Sequence, residues 1–91
     1  MDNRLKTILI ATGLLFSATS FANDIEGAIE SIDQESQSLV VQGITFHATD
    51  STDYDDGLNQ FSDLQLGQVV EIDFEYKDGQ HYATEIELER D

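Results

Sequence analysis

Between Gln68 and Leu88 the chain alternates with period two, and that alternation is the tightest limit on what it can fold into. Val70, Ile72, Phe74 and Tyr76 share one face while Val69, Glu71, Asp73 and Glu75 take the other. Tyr82, Thr84, Ile86 and Leu88 resume the pattern after Lys77-Asp78-Gly79-Gln80. One apolar and one charged face at this period is the mark of a half-buried antiparallel strand pair. A two-residue Asp78-Gly79 turn would set Tyr76 against His81 and Ile72 against Glu85, mixing apolar and charged side chains on one face. The expected register therefore avoids that turn through an odd-numbered loop or an added bulge, pairing Tyr76 with Tyr82, Phe74 with Thr84, Ile72 with Ile86 and Val70 with Leu88. On the outer face it places Asp73 opposite Glu85 and Glu71 opposite Glu87, with Glu75 and Glu89 extending an acidic ladder. Like charges so placed repel.

The preceding residues also read as strands. Asp24 to Ile32, with apolar residues at 25, 29 and 32, reads as a strand bulged near Gly27, a short amphipathic helix being the competing reading. Leu39-Val40-Val41, the turn Gln42-Gly43 and Ile44 to Ala48 form a hairpin. Thr49 to Gln60 is polar and reads as the longest loop. From Phe61 to Gly67, Ser62 as N-cap and Gly67 as stop allow one helical turn. Three strands, a helical turn and two strands is the element order of the five-stranded OB-type barrel, so the expected fold class is all-β, a small OB-like barrel.

Four pieces sharpen that expectation: Gly27-Ala28-Ile29-Glu30-Ser31-Ile32-Asp33, Leu39-Val40-Val41-Gln42-Gly43, Asp63-Leu64-Gln65-Leu66-Gly67-Gln68-Val69-Val70-Glu71-Ile72, and Asp78-Gly79 followed by Ala83-Thr84-Glu85-Ile86. In this order they resemble bacterial secreted domains of unknown function with small OB-like barrels. The resemblance spans nearly the whole chain after residue 22. It implies the fold and an envelope or surface module that binds rather than catalyses, with no established chemistry.

Residues 1–22 read as a signal peptide. Arg4 and Lys6 open it, Thr7 to Ser20 is apolar, and Ser20-Phe21-Ala22 is a small-x-small cleavage site, so the exported domain spans 23–91. The run is too short to span a membrane. Of the 91 residues, 69 remain, and the formal charge moves from −15 to −16, because 18 of the 19 acidic residues are left against only Lys77 and Arg90. A chain this acidic is repelled by phosphate backbones and anionic lipid, which excludes nucleic acid and membrane insertion as expectations. Zero cysteines excludes disulfides, thiolate metal sites and a thiol nucleophile. Export without disulfides suits a periplasmic or secreted bacterial protein.

Candidate sites are acidic. Glu71, Asp73, Glu75, Glu85 and Glu87 form a stripe suited to a basic protein or peptide. Asp50, Asp53, Asp55 and Asp56 crowd the loop before Gly57 and could hold calcium through hard oxygen ligands, although their spacing does not match an EF-hand. No cofactor is implied beyond such weakly held calcium. His47 and His81, the only imidazoles, should lie toward opposite ends of the third and fifth barrel strands, about 10 Å or more apart at 3.3 Å per residue, which disfavours a shared metal. The lack of tryptophan, and of methionine outside the signal peptide, argues against the aromatic-and-thioether copper site of some periplasmic OB chaperones. Ser51 lies near His47 and Asp50 without a nucleophile elbow, so no enzyme is expected. An oligosaccharide on the face of strands two and three and the loops 33–38 and 77–81 is the remaining partner class. Tyr54 would be its exposed platform, while Tyr76 and Tyr82 share the phase of the core. The reading is a small acidic, non-catalytic binding module for a basic protein or cations.

Overall fold

Six strands and one 3-10 turn follow in chain order: β1 Asp24–Asp33, β2 Ser38–Val41, β3 Ile44–His47, β4 Asp53–Asp55, the 3-10 turn Phe61–Asp63, β5 Val69–Lys77 and β6 Gln80–Leu88. They come from a computed structural model that describes residues 23–89. The signal peptide expected over 1–22 and its cleavage site lie outside the described residues.

Five of the strands close a barrel. β1 pairs antiparallel with both β2 and β5, β2 with β3, β5 with β6, and β3 returns parallel to β6. This is the all-β OB-type closure expected from the element order. The core is built by the inward phase of every barrel strand: Ile29, Leu39, Val41, Phe46, Val70, Ile72, Ala83 and Ile86 are buried, and Leu58, Phe61 and Leu64 join them from the connection around the 3-10 turn. That turn starts two residues earlier than expected. Gln60 is its N-cap and makes no side-chain cap bond, so Ser62 does not cap it. Its support comes from Asp63, whose Oδ2 accepts the Asn59 N–H at 2.9 Å.

β1 serves two neighbours in succession. Its first half pairs with β5 and its second with β2, and the register shifts between Ile29 and Ser31, so the irregularity falls at Glu30 rather than near Gly27. Gly27 instead sits in regular pairing opposite Val70. Its lack of a side chain matters for proximity: a Cβ there would lie 3.0 Å from Val41 Cγ1 and 3.3 Å from Gln42 Cγ. Val41 is fully buried and cannot retreat. Gly27→Ala is therefore expected to lower stability by about 1–3 kcal/mol, as overpacking does. A denaturation midpoint at or above wild type would show that β1 and β2 are less closely packed than this.

The β5–β6 hairpin corrects the expected register in one half and keeps it in the other. Asp78 and Gly79 do form a tight two-residue turn, both with positive φ (54° and 79°), matching the Gln42-Gly43 turn of β2–β3. Tyr76 accordingly faces His81, Glu75 faces Tyr82 and Phe74 faces Ala83, so neither the Tyr76–Tyr82 nor the Phe74–Thr84 pairing occurs. A bulge between Asp73 and Phe74 then absorbs one residue, restoring Ile72 opposite Ile86 and Val70 opposite Leu88. Thr84 Oγ1 donates to the Asp73 carbonyl at 3.0 Å where the ladder is interrupted. The turn chemistry and the face-matching thus both win, each on its own side of the bulge.

The polar stretch 49–60 is not all loop. β4 lies parallel to β6 with Tyr54 opposite Ile86, continuing along the edge that β3 leaves after His47. Thr52 anchors this return: its buried hydroxyl donates to the Ala83 carbonyl at 2.7 Å and accepts the Thr49 N–H at 2.8 Å.

Candidate functional site

The outward phases of β4, β6, β5 and β1 bring eight carboxylates onto one sheet face in two rungs. One rung runs Asp53, Glu85, Asp73, Asp24; the other runs Asp55, Glu87, Glu71, Glu26, each residue being the Cα partner of the next. Neighbouring strands lie about 4.8 Å apart, so each carboxylate is within reach of those beside it. The chain forms this face because each strand needs its apolar phase for the core, and every outward position on these two rungs is acidic.

The crowding shows in the acids themselves. Glu85 is pushed up to about 7, first by a hydrogen bond with Asp55, then by desolvation, a hydrogen bond with Asp73 and the charges of both aspartates. Glu87 is likewise pushed up to about 7 by a hydrogen bond with Asp56, by desolvation and by the charges of Asp56, Glu71 and Glu89. Glu71 is raised by its hydrogen bond with Asp24, with desolvation and the charges of Asp24, Asp73 and Glu89 adding to it. Each shared hydrogen bond requires one of two carboxyls to hold a proton, so near neutral pH the face retains protons that isolated carboxylates would have released. One oxygen each from Asp24, Glu71 and Asp73 lie within 4.8 Å of one another, the only such group of three or more His, Asp or Glu among the described residues.

Two candidate sets expected separately thus merge. Glu71, Asp73, Glu85 and Glu87 stand in the expected cross-strand pairs, and Asp53 and Asp55 join them through β4. Asp56 reaches the array through Glu87, whereas Asp50 stays on the exposed turn before β4. Glu75 stays on the outer face next along from Asp73, but its cross-strand partner is Tyr82, not the Ala83 of the expected register. Asp24 and Glu26 were outside every candidate set, although Asp24, Glu26 and Ala28 alternating with Ile25, Gly27 and Ile29 is their signal.

The aromatic and imidazole residues also move. Tyr54 is half-buried, and burial raises its phenol, so it is not the exposed platform; Tyr76 is the exposed one, at 63 %. His47 ends β3 and His81 stands near the start of β6, as expected, but this does not hold them far apart, because β3 meets β6 only through Phe46 opposite His81 and His47 opposite Tyr82. They occupy opposite faces: His81 packs on Phe46, Phe74 and Tyr76 at ring distances of 5.6, 5.3 and 4.9 Å, while His47 lies against Tyr82 at 5.9 Å.

Barrel closure and outward acids define the class, a small OB-type β-barrel domain with a polyacidic sheet face. The chain belongs to the family described as domain of unknown function DUF5666, whose model matches residues 26–87. Solved structures share the fold. A Cu(II) form of a tryptophan-to-alanine variant of CusF from Escherichia coli matches with a TM-score of 0.65 at 15 % identity, covering 80 % of this chain and 98 % of that one. An Ag(I) form from the same organism matches at 0.62 and 15 % identity, covering 77 % and 94 %. The fimbrial biogenesis protein PilY2 from Pseudomonas aeruginosa PAO1 matches at 0.63 and 14 % identity, covering 76 % and 88 %. No curated protein sequence matches. Among the described residues no helix is long and apolar enough to cross a membrane.

Proposed function

We propose that this domain is an exported, non-catalytic binding module of the bacterial envelope, in the periplasm or secreted, whose acidic face captures a basic protein or peptide. The observation behind it is the two-rung array: eight carboxylates aligned over four strands, with no Lys or Arg on either rung. Cationic side chains laid across the rungs would relieve the repulsion and displace the shared protons. The acids stand on an open sheet face rather than in a water-excluding pocket, which suits binding and not general acid–base chemistry. Export rests on the basic, then apolar N-terminus ending at Ser20-Phe21-Ala22.

Calorimetry against lysozyme and polylysine tests the reading. Binding is expected at low salt, weakening steeply as sodium chloride is added, and falling about tenfold or more when Glu71, Asp73, Glu85 and Glu87 become Gln or Asn. Unchanged binding by that variant would remove the array as the site.

The Asp24–Glu71–Asp73 trio favours a second reading, a hard divalent cation such as calcium held by oxygen ligands. The related fold holds Ag(I) in CusF and Cu(II) in a variant of it. Of these, Ag(I) is soft and wants sulfur ligands, and this sequence has no cysteine and only Met1. What carries over is therefore the barrel and not a soft-metal site.

A further inference from the structure

Beside the array lies a cleft of about 410 Å³, between the excursion from β3 to β4 and the tip half of the β5–β6 hairpin. Its polar lining is Thr49, Ser51, Glu75, Lys77, Tyr82 and Thr84. The volume is in the range of small-molecule sites. Its walls are set before any ligand arrives: Thr52 ties the excursion to Ala83, the Ser51 N–H donates to Thr49 Oγ1 at 3.1 Å, and the Tyr82 ring is backed by His47.

The charges around the cleft are opposite and ordered. Glu75 is the Cα partner of Tyr82, so carboxylate and ring share the outer face, and Lys77 follows two residues on along the same face. Lys77 is the only Lys or Arg among the described residues, and among them it makes no ion pair with any carboxylate. An ammonium left without an ion pair in so acidic a chain is free for an anionic group from outside. A wholly anionic ligand would be repelled by the net charge of −15, whereas one bearing both signs would not.

We infer that this cleft binds a small zwitterion of amino-acid or dipeptide size, its ammonium on Glu75 and over the Tyr82 ring, its carboxylate on Lys77. The ring adds cation–π attraction to the Glu75 contact, and the hydroxyls of Thr49, Ser51 and Thr84 serve the remaining polar atoms. The inference goes beyond polycation capture and uses none of the eight array residues.

NMR titration of the isotope-labelled protein with L-phenylalanine and with glycylglycine tests it. Saturable shifts are expected at Thr49, Ser51, Glu75, Lys77, Tyr82 and Thr84, with a Kd on the order of 1 mM or tighter. The N-acetyl and carboxamide derivatives, each lacking one charge, should bind about tenfold more weakly, as should Glu75→Gln and Lys77→Met with the parent ligands. Both positions are exposed, so both variants should keep a cooperative melt. No saturable shift in these residues, equal binding of the singly charged derivatives, or tighter binding of N-acetylglucosamine would each overturn the inference. Polylysine shifts at Glu71 and Glu87 report on the array separately.

Discussion

A variant with Glu71→Gln, Asp73→Asn, Glu85→Gln and Glu87→Gln melts higher than the wild type at pH 7.5, and its melting temperature depends less on pH. Glu85 and Glu87 sit at about 7 in the folded chain, against 4.5 for an unperturbed glutamate. Between those values the folded state binds more protons than the unfolded state, so stability falls as pH rises through the window. Below it both states are protonated and the contribution is fully present; above about 7 both are ionised and it is gone. The wild type should therefore melt higher at pH 5 than at pH 7.5, by on the order of 5 °C, a modest figure because the array is largely solvated and salt-screened. Added sodium chloride should narrow the gap. Scanning calorimetry across this range settles the matter: a wild type that gains stability from pH 5 to pH 7.5 would contradict the crowding of Glu85 and Glu87.

Replacing Phe46 by alanine has a larger effect and reports on closure rather than charge. Phe46 is fully buried on β3, opposite Leu39 of β2 and His81 of β6, with its ring 5.1 Å from that of Phe74. It stands at the parallel seam that shuts the barrel. Phe→Ala in a core costs about 3–5 kcal/mol. A domain of this size holds about 3–10 kcal/mol in all, at roughly 0.05–0.15 kcal/mol per residue. Phe46→Ala is expected to leave the chain largely unfolded at 37 °C, with collapsed amide dispersion in NMR spectra and no cooperative melt. A sharp transition within a few degrees of wild type would mean that the β3–β6 seam contributes little to closure.

Much of the barrel is legible in the chain because its strands obey one rule, apolar inward and polar outward. The cross-strand acids follow from it, since Glu71–Glu87 and Asp73–Glu85 are forced once Ile72 faces Ile86. The rule stops being readable where two local demands collide. Asp78-Gly79 favours a tight turn and the core favours a register one residue away, and no pattern shows that a bulge at Asp73/Phe74 grants both. The bulge moves Tyr82 to the outer face and Ala83 into the core, so that Glu75 ends beside an aromatic ring. β4 was hidden for another reason. Only Tyr54 of its three residues faces inward, and the fixing contact, Thr52 to Ala83, joins positions 31 apart in sequence. Without β4 the two acidic sets look unrelated.

β4 also ends the sheet, three residues long and paired on one side only. A free strand edge is a template on which another chain can add, and short, charged edges are how soluble β proteins resist that polymerisation. Asp53 and Asp55 on this edge, backed by Glu85 and Glu87, make any second copy approach through its own like-charged face. The charge that strains the single molecule thus protects it from fibrillation. Variants chosen only for higher melting temperature by removing these acids would give up colloidal stability in return.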